Sequence, residues 1–220
     1  MSPEKYVEAC LRRGINCVAV TDHNTIAGAL VVKEAAPFPV IIGEEVRSSE
    51  GDIIGLFLKD DVPKGLTPVE TVLRIKEQGG LVYVPHPYDR HRGGGMHRPL
   101  MRQVLPDVDI IEVFNARTTQ AEDDEQALRL ATERDIAQAA ASDAHSPGEL
   151  GTAYMEMPEY MGGPEEFLKA LKAGRIVGKH SSPLIHLVSR WAVLCRKLGV
   201  RKMPGISPAA STDGASQASR

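Results

Sequence analysis

Acidic and imidazole side chains stand directly after several short apolar runs in this sequence. Asp143 and His145 follow one such run, residues 139–141. In an extended chain, residues two apart point to the same side, so these two side chains can face one pocket. A carboxylate oxygen beside an imidazole nitrogen suits a divalent metal ion. An isolated Asp-x-His is more often a solvated turn in which the aspartate caps a local structure, so the interpretation needs support from elsewhere in the chain.

Three further predicted strand ends carry the same residue types, namely Asp22 with His23, then Glu45, and then His86. His23 alone would more often be a solvated histidine, and Asp22 could cap the helix that follows it. Recurrence at several strand ends favours a shared site. We therefore predict His23 as a metal ligand and Asp22 as a ligand or a residue that supports one. Glu45 is either exposed at a sheet edge or a carboxylate that spans two metals, and Glu44 should face the opposite way.

Arginines lie on the same predicted loops, at positions 90, 92 and 117. The planar guanidinium fork suits the oxygens of a phosphate group. For any one of these arginines an ordinary surface role is about as frequent, because exposed arginines are common. Asn115 stands at the end of another predicted strand. We predict Arg90, Asn115 and Arg117 as catalytic residues.

Helices and strands alternate along the chain and would position these residues. The predicted helices cover residues 2–14, 26–36, 67–79, 97–105, 120–134 and 164–173, and the predicted strands cover 15–20, 40–42, 52–58, 81–84, 108–114, 139–145 and 176–177. Ser2 could cap the first helix, Thr67 and Glu70 form a capping box, and residues 48–51 indicate a hairpin turn. Strands separated by helices are typical of parallel βαβ units. In a parallel barrel, functional residues lie at the carboxyl ends of the strands, where all of the candidates fall.

Composition narrows the class of protein. The chain has 220 residues, of which 42% are hydrophobic and 25% charged, as in an ordinary globular domain. A net charge of −3 disfavours nucleic acid and anionic membranes as partners. Three scattered cysteines and the lack of a bilayer-length apolar run lead us to expect a cytoplasmic protein. Neither a Walker-type phosphate loop nor a Ser-His-Asp order is present in the sequence.

Four motifs together resemble the PHP domain (polymerase and histidinol phosphatase), specifically its small stand-alone metal-dependent phosphoesterases. They are Thr21-Asp22-His23, Gly43-Glu44-Glu45, His86-Pro87 and Ser142-Asp143-Ala144-His145. The resemblance covers the chain from about Ser2 to Ala153. It implies a distorted TIM-like (β/α)7 barrel that holds two or three divalent ions, zinc, manganese or iron. It also implies a ligand set of His23, Glu45, His86, Asp143 and His145, with Glu45 as the bridge.

The chain departs from the pattern of this family in two places. The His-x-His strand that opens the family is absent, and Asp52 stands where many members have a histidine. A barrel without its first strand would leave two strand edges unpaired. We therefore expect that Met1 is an internal methionine and that residues 1–200 form an N-terminally truncated domain. A closing helix, residues 183–198, should pack on the barrel, and residues 203–220 should form a disordered tail.

The activity predicted on these grounds is metal-dependent hydrolysis of a small phosphate ester, of the nucleotide or sugar phosphate type. A metal-activated water would attack phosphorus, and His91 or His97 could protonate the leaving group. The alternative is a catalytically inactive PHP-like domain that binds metal or a phosphorylated ligand, which the absent His-x-His supports. A proofreading exonuclease is a weaker hypothesis because no basic groove is evident.

Overall fold

Six strands form one sheet and two more form a separate hairpin in the computed structural model, which describes residues 2–89, Gly95 and residues 98–179. The strands are β1 (Val18–His23), β2 (Val40–Arg47), β3 (Asp52–Leu56), β4 (Leu81–Val84), β5 (Ile110–Asn115), β6 (Ala137–Ala141), β7 (Ala153–Glu156) and β8 (Arg175–Gly178). The helices are α1 (Pro3–Arg12), α2 (Ala27–Ala35), α3 (Pro68–Glu77), α4 (Pro99–Gln103), α5 (Ala121–Glu133) and α6 (Pro164–Lys172), with a 3-10 turn at Leu105–Asp107. All the described residues belong to one compact unit of the chain.

The sheet is mixed, and its strands follow one another in chain order from β1 to β6. Strands β1 and β2 are parallel, as are β4, β5 and β6, whereas β3 runs antiparallel to both of its neighbours. The predicted hairpin turn at residues 48–51 is confirmed, since it reverses the chain between β2 and β3. The α/β class is therefore confirmed, as a curled half-barrel sheet whose order ends at β1 and β6. Closure into a TIM-like barrel stays a prediction.

Both faces of the sheet are buried against other elements. We call the face that carries His23 and Glu45 the inner face. Its apolar side chains pack against Phe167 and Leu171 of α6, and they are Ile41, Ile54, Leu56, Leu81, Tyr83, Ile110, Ala137 and Ala139. The outer face packs against helices α3, α4 and α5, through Val46, Ile53, Val82, Val84, Ile111 and Val113. Each fully buried large aliphatic side chain contributes about 1.5–3 kcal/mol, so this two-sided core fixes the strand ends in place.

Local sequence signals explain several helix ends. The capping box of α3 is confirmed, because Thr67 Oγ1 accepts from the N–H of Glu70 and the Glu70 carboxylate accepts from the N–H of Thr67. Ser2 occupies the N-cap position of α1, yet its side chain makes no capping hydrogen bond, so that part of the prediction was wrong. Gly14 follows α1 with a positive φ of 69°, as expected for a helix terminator.

Other boundaries differ from the predictions. Strand β1 begins three residues later than predicted and includes Asp22 and His23, because its backbone pairs with β2 up to Glu45. Strand β7 was missed, since four residues give too short an apolar pattern to identify a strand. The helix predicted over residues 97–105 is shorter, at Pro99–Gln103. The predicted closing helix and tail, and also Arg90, His91, Arg92 and His97, lie outside the described residues. No helix in the described part of the chain has the length and apolar character to cross a membrane.

Candidate metal centre

Glu45 lies between two imidazoles at the carboxyl end of the sheet. Its Oε2 is 3.6 Å from His23 Nδ1, and its Oε1 is 3.5 Å from His86 Nε2. The register of β1 and β2 places His23 directly opposite Glu45. His86 follows β4 with a positive φ of 29°, in a turn that the N–H of Asp89 closes on the His86 carbonyl. The His86 side chain is 4% exposed and that of His23 is 60% exposed, so the pair spans the boundary between core and solvent.

These separations are longer than a hydrogen bond, which is about 2.7–3.2 Å. Two ligands that bind one tetrahedral ion at about 2.0–2.2 Å lie roughly 3.4 Å apart. Each oxygen of Glu45 faces a different imidazole, which is the arrangement expected of a carboxylate that bridges two metal ions. The donor types and their pairwise spacings therefore fit a divalent ion. No group of three or more His, Cys, Asp or Glu side chains within the described ranges is already arranged to hold one.

Asp143 and His145 lie in a turn beyond the end of β6. The strand ends at Ala141, and Asp143 has a φ of +48°, so the predicted extended geometry of this segment was wrong. The turn nevertheless brings the two side chains together, because His145 Nδ1 lies 3.5 Å from Asp143 Oδ1 and 2.9 Å from the Asp143 carbonyl oxygen. Aspartate is among the few residues that tolerate this left-handed conformation.

A hydrogen-bond network connects this turn with the interior. Asn115 Nδ2 donates to Asp143 Oδ2 at 3.2 Å and to Glu112 Oε1 at 2.6 Å. Glu112 also accepts from the N–H of His86 at 3.1 Å and from the hydroxyl of Tyr83. The buried carboxylate of Glu112 therefore contacts the backbone of His86 directly and is connected with Asp143 through Asn115.

A bulge in β5 makes this network possible. Residues three apart on a regular strand point to opposite faces, which would separate Glu112 from Asn115. The register shifts between Glu112 and Phe114, so that Glu112 pairs with Ala139 and Asn115 pairs with Ala141. Both residues consequently lie on one face. Sequence reasoning missed Glu112, although an acidic residue inside the apolar run of residues 108–114 was a visible signal.

Burial and like charges shift several pKa values here. Burial raises the pKa of Glu112, and the charge of Asp143 adds to this, while the nearby His86 and the Tyr83 hydroxyl act in the opposite direction. Burial, followed by the charge of Glu112, holds the pKa of Tyr83 well above its usual value. Burial also raises the pKa of Asp124 to about 7, with a contribution from the charge of Glu112. Glu112 thus lies near the carboxylates of both Asp143 and Asp124, and a cation bound nearby would stabilise their charged forms.

The structure separates Asp22 from these residues. Asp22 pairs in register with Glu44 rather than with Glu45, and its carboxylate lies against the first turn of α2, where a Cβ on Gly28 would be 1.9 Å from Oδ2. Glu44 faces away from the centre, as predicted. It is fully buried and accepts from the N–H of Val62 at 2.7 Å.

Arg117 and Asp52 also have defined partners. The Arg117 side chain is 6% exposed, and its Nη1 lies 3.1 Å from Glu149 Oε1, so its guanidinium is buried beside a carboxylate and is not a surface arginine. Asp52 accepts from Arg47 Nη1 through both of its oxygens, at 2.9 and 2.7 Å. The position where the family resemblance implies a histidine therefore carries an ion pair in this chain.

Comparisons with known proteins identify the family. A family model described as PHP-associated matches residues 121–176. The uncharacterized protein MJ0417 of Methanocaldococcus jannaschii is 35% identical over 183 residues, which span 78% of this chain and 73% of that protein. The uncharacterized protein MJ1587 of the same organism is 44% identical over 118 residues, 52% of this chain and 66% of that protein. The chain belongs to the PHP family.

Solved structures show the same fold. One is a two-domain protein from Bacteroides vulgatus that contains a predicted PHP-like metal-dependent phosphoesterase; it has a TM-score of 0.65 and 16% identity over 80% of this chain. Another is the lesion-specific endonuclease EndoQ from Pyrococcus furiosus, with a TM-score of 0.57 and 16% identity over 82% of this chain. This chain spans 60% of the first structure and 54% of the second. At these identities the likeness is one of fold.

Proposed function

We propose that this protein is a metal-dependent phosphoesterase that hydrolyses a small phosphate ester, of the nucleotide or sugar phosphate type. The observation that carries the proposal is Glu45, with one oxygen toward His23 and the other toward His86. Membership of the PHP family and the phosphoesterase named among the similar folds support it.

The proposed division of roles follows from the contacts. His23, Glu45 and His86 would hold one part of a centre of zinc, manganese or iron, and Asp143 with His145 would hold the other part. When bound, such ions polarise a phosphoryl group and lower the pKa of water. Within the first part, Glu45 would be the bridging ligand, because one of its oxygens faces His23 and the other faces His86.

Neighbouring residues would keep the ligands in place. Asn115 holds Asp143 through Oδ2, and this leaves Oδ1 on the side of His145. Glu112 accepts from the N–H of His86 and so fixes the turn that presents that imidazole. Removing a hydrogen bond that holds a metal ligand in place commonly lowers metal affinity by about 10–100-fold. Arg90 remains a predicted phosphate-binding residue.

The test is turnover of p-nitrophenyl phosphate by metal-stripped protein to which Mn²⁺, Zn²⁺ or Fe²⁺ is added back. Glu45→Gln should lower turnover by about 100-fold or more, because the amide cannot bridge two cations. Glu44→Gln is the matched control, since it makes the same chemical change one residue away on the opposite face. Equal turnover by Glu45→Gln and the wild type would refute the proposal.

The alternative is a catalytically inactive domain that uses the same residues to bind metal or a phosphorylated ligand. The observation that favours it is that no three-ligand group is preformed within the described residues. Metal binding that depends on Glu45, without turnover of any phosphate ester, would support this alternative. Metal-dependent degradation of single-stranded DNA would instead indicate a nuclease, the activity named for the Pyrococcus furiosus structure.

A further inference from the structure

Glu149 is a buried charged residue in the connection between β6 and β7, four positions after His145. It is 2% exposed, although a glutamate in a connecting loop is ordinarily solvated. Burying a carboxylate is unfavourable unless charge and hydrogen bonds compensate for the lost water. The contacts of Glu149 therefore indicate its role in the structure.

Each oxygen of the Glu149 carboxylate has its own partner. Oε2 accepts from the N–H of His145 at 3.1 Å and from the hydroxyl of Ser146 at 2.7 Å. Oε1 lies 3.1 Å from Arg117 Nη1. The backbone of Glu149 closes the same turn, because its N–H donates to the Ser146 carbonyl and its own carbonyl accepts from Thr152 Oγ1 at 2.8 Å.

Arg117 provides a fixed anchor for these contacts. It comes two residues after the end of β5, and its N–H donates to Asn115 Oδ1 at 2.8 Å. Asn115 in turn holds Asp143. Two sets of contacts therefore connect the end of β5 with the turn beyond β6. In one, Asn115 binds Asp143; in the other, Arg117 contacts Glu149, which binds the N–H of His145.

The turn needs such an anchor because no strand pairing sets its conformation. Strand β6 ends at Ala141, and the left-handed φ of Asp143 directs the chain away from the sheet. The His145 side chain is 49% exposed, so packing alone does not fix its orientation. The bond from the His145 N–H to Glu149 thus restrains the backbone that carries this imidazole, whose Nδ1 lies 2.9 Å from the Asp143 carbonyl oxygen.

We propose that Glu149 is a positioning residue for His145, with Arg117 as its buried anchor rather than as a residue that binds substrate. The functional part of this inference, that Glu149 positions a metal ligand, rests on the proposed function. Its structural part, that Glu149 orders residues 143–146, stands without any metal.

Four variants separate the contributions. Glu149→Ala removes every side-chain contact to the turn. Glu149→Gln keeps an acceptor for His145 but removes the negative charge that faces Arg117. The double variant Glu149→Gln with Arg117→Met keeps that acceptor and removes both charges. Val72→Ala, in the outer-face core, is the control for general loss of stability, since it destabilises α3 without touching the turn.

The first measurement is amide hydrogen exchange of metal-free protein. Glu149→Ala should accelerate exchange in residues 143–146 by at least tenfold relative to α3, and the double variant should recover most of the protection. Val72→Ala should accelerate exchange in α3 instead. Unchanged exchange in the turn of Glu149→Ala would overturn the proposal.

The second measurement is Mn²⁺ affinity by calorimetric titration. Glu149→Ala should weaken binding by about 10–100-fold, and the double variant should lie within a few-fold of wild type. An equal weakening by Val72→Ala would refute a positioning role. If wild-type protein binds no metal, the proposed function fails, while the exchange measurement still decides whether Glu149 orders the turn.

Discussion

Replacing Tyr83 by phenylalanine tests whether Glu112 depends on its buried network. Tyr83 lies in the inner-face core, and its hydroxyl donates to Glu112. The change leaves the ring and its packing in place, so the lost hydrogen bond dominates. A hydrogen bond to a charged group contributes about 1.5–3 kcal/mol, and Glu112 retains its bonds from Asn115 and from the N–H of His86. We expect Tyr83→Phe to lower the free energy of unfolding by about 2 kcal/mol.

Urea denaturation followed by circular dichroism measures this change. With an m value of about 1–3 kcal/mol per molar urea, the midpoint should fall by roughly 1 M. Tyr154→Phe is the matched control, because no hydrogen bond to the Tyr154 hydroxyl is found among the described residues. A double-mutant cycle of Tyr83→Phe with Glu112→Gln should give a coupling of about 1 kcal/mol or more. A loss no larger than that of Tyr154→Phe would refute the reasoning about this network.

Three further predictions concern other parts of the chain. The raised pKa of Asp124, about 7, lies above its unfolded value, so ionisation opposes folding and wild-type stability should fall as pH rises from about 4 to 7. Asp124→Asn should lack the contribution of this group to the fall, which we expect to be about 1–2 kcal/mol for a partly buried carboxylate; identical pH profiles in denaturant titrations would contradict this. Gly28→Ala should displace the exposed Asp22 carboxylate at little cost in stability. The amount of bound metal, measured by elemental analysis, should not change. A loss of metal in this variant would show that Asp22 is needed. Thr67→Ala should lower thermal stability by about 1 kcal/mol through loss of the capping box, and an unchanged melting temperature would argue against that contribution.

Local signals were sufficient to predict much of the fold. The capping box and proline at Thr67–Pro68 defined the start of α3, and the apolar run of residues 81–84 coincides with β4. Polar residues at abrupt ends of apolar runs identified His23, Glu45 and His86, which the structure brings together. These features depend on neighbours in sequence, and the physical preferences of those neighbours are strong.

The remaining features depend on partners far apart in the chain. The bulge that puts Glu112 and Asn115 on one face arises from pairing with β6, and no pattern within β5 encodes it. The ion pair of Arg117, which the sequence predicts as a catalytic residue on a loop, was not foreseen because its partner Glu149 lies 32 positions away. The extended conformation that the sequence predicts for residues 139–145 is wrong at Asp143 for the same reason, since this turn depends on contacts with Asn115 and Glu149.

Elemental analysis of bound metal tests the central claim most directly. Wild-type protein, Glu44→Gln and Glu45→Gln would be purified identically, exposed to Mn²⁺ and Zn²⁺, and freed of loosely held ions on a desalting column. The account predicts that the wild type and Glu44→Gln retain the same number of ions per chain, at least one, and that Glu45→Gln retains markedly fewer. Equal metal content in Glu45→Gln and Glu44→Gln, or none in the folded wild type, would contradict it.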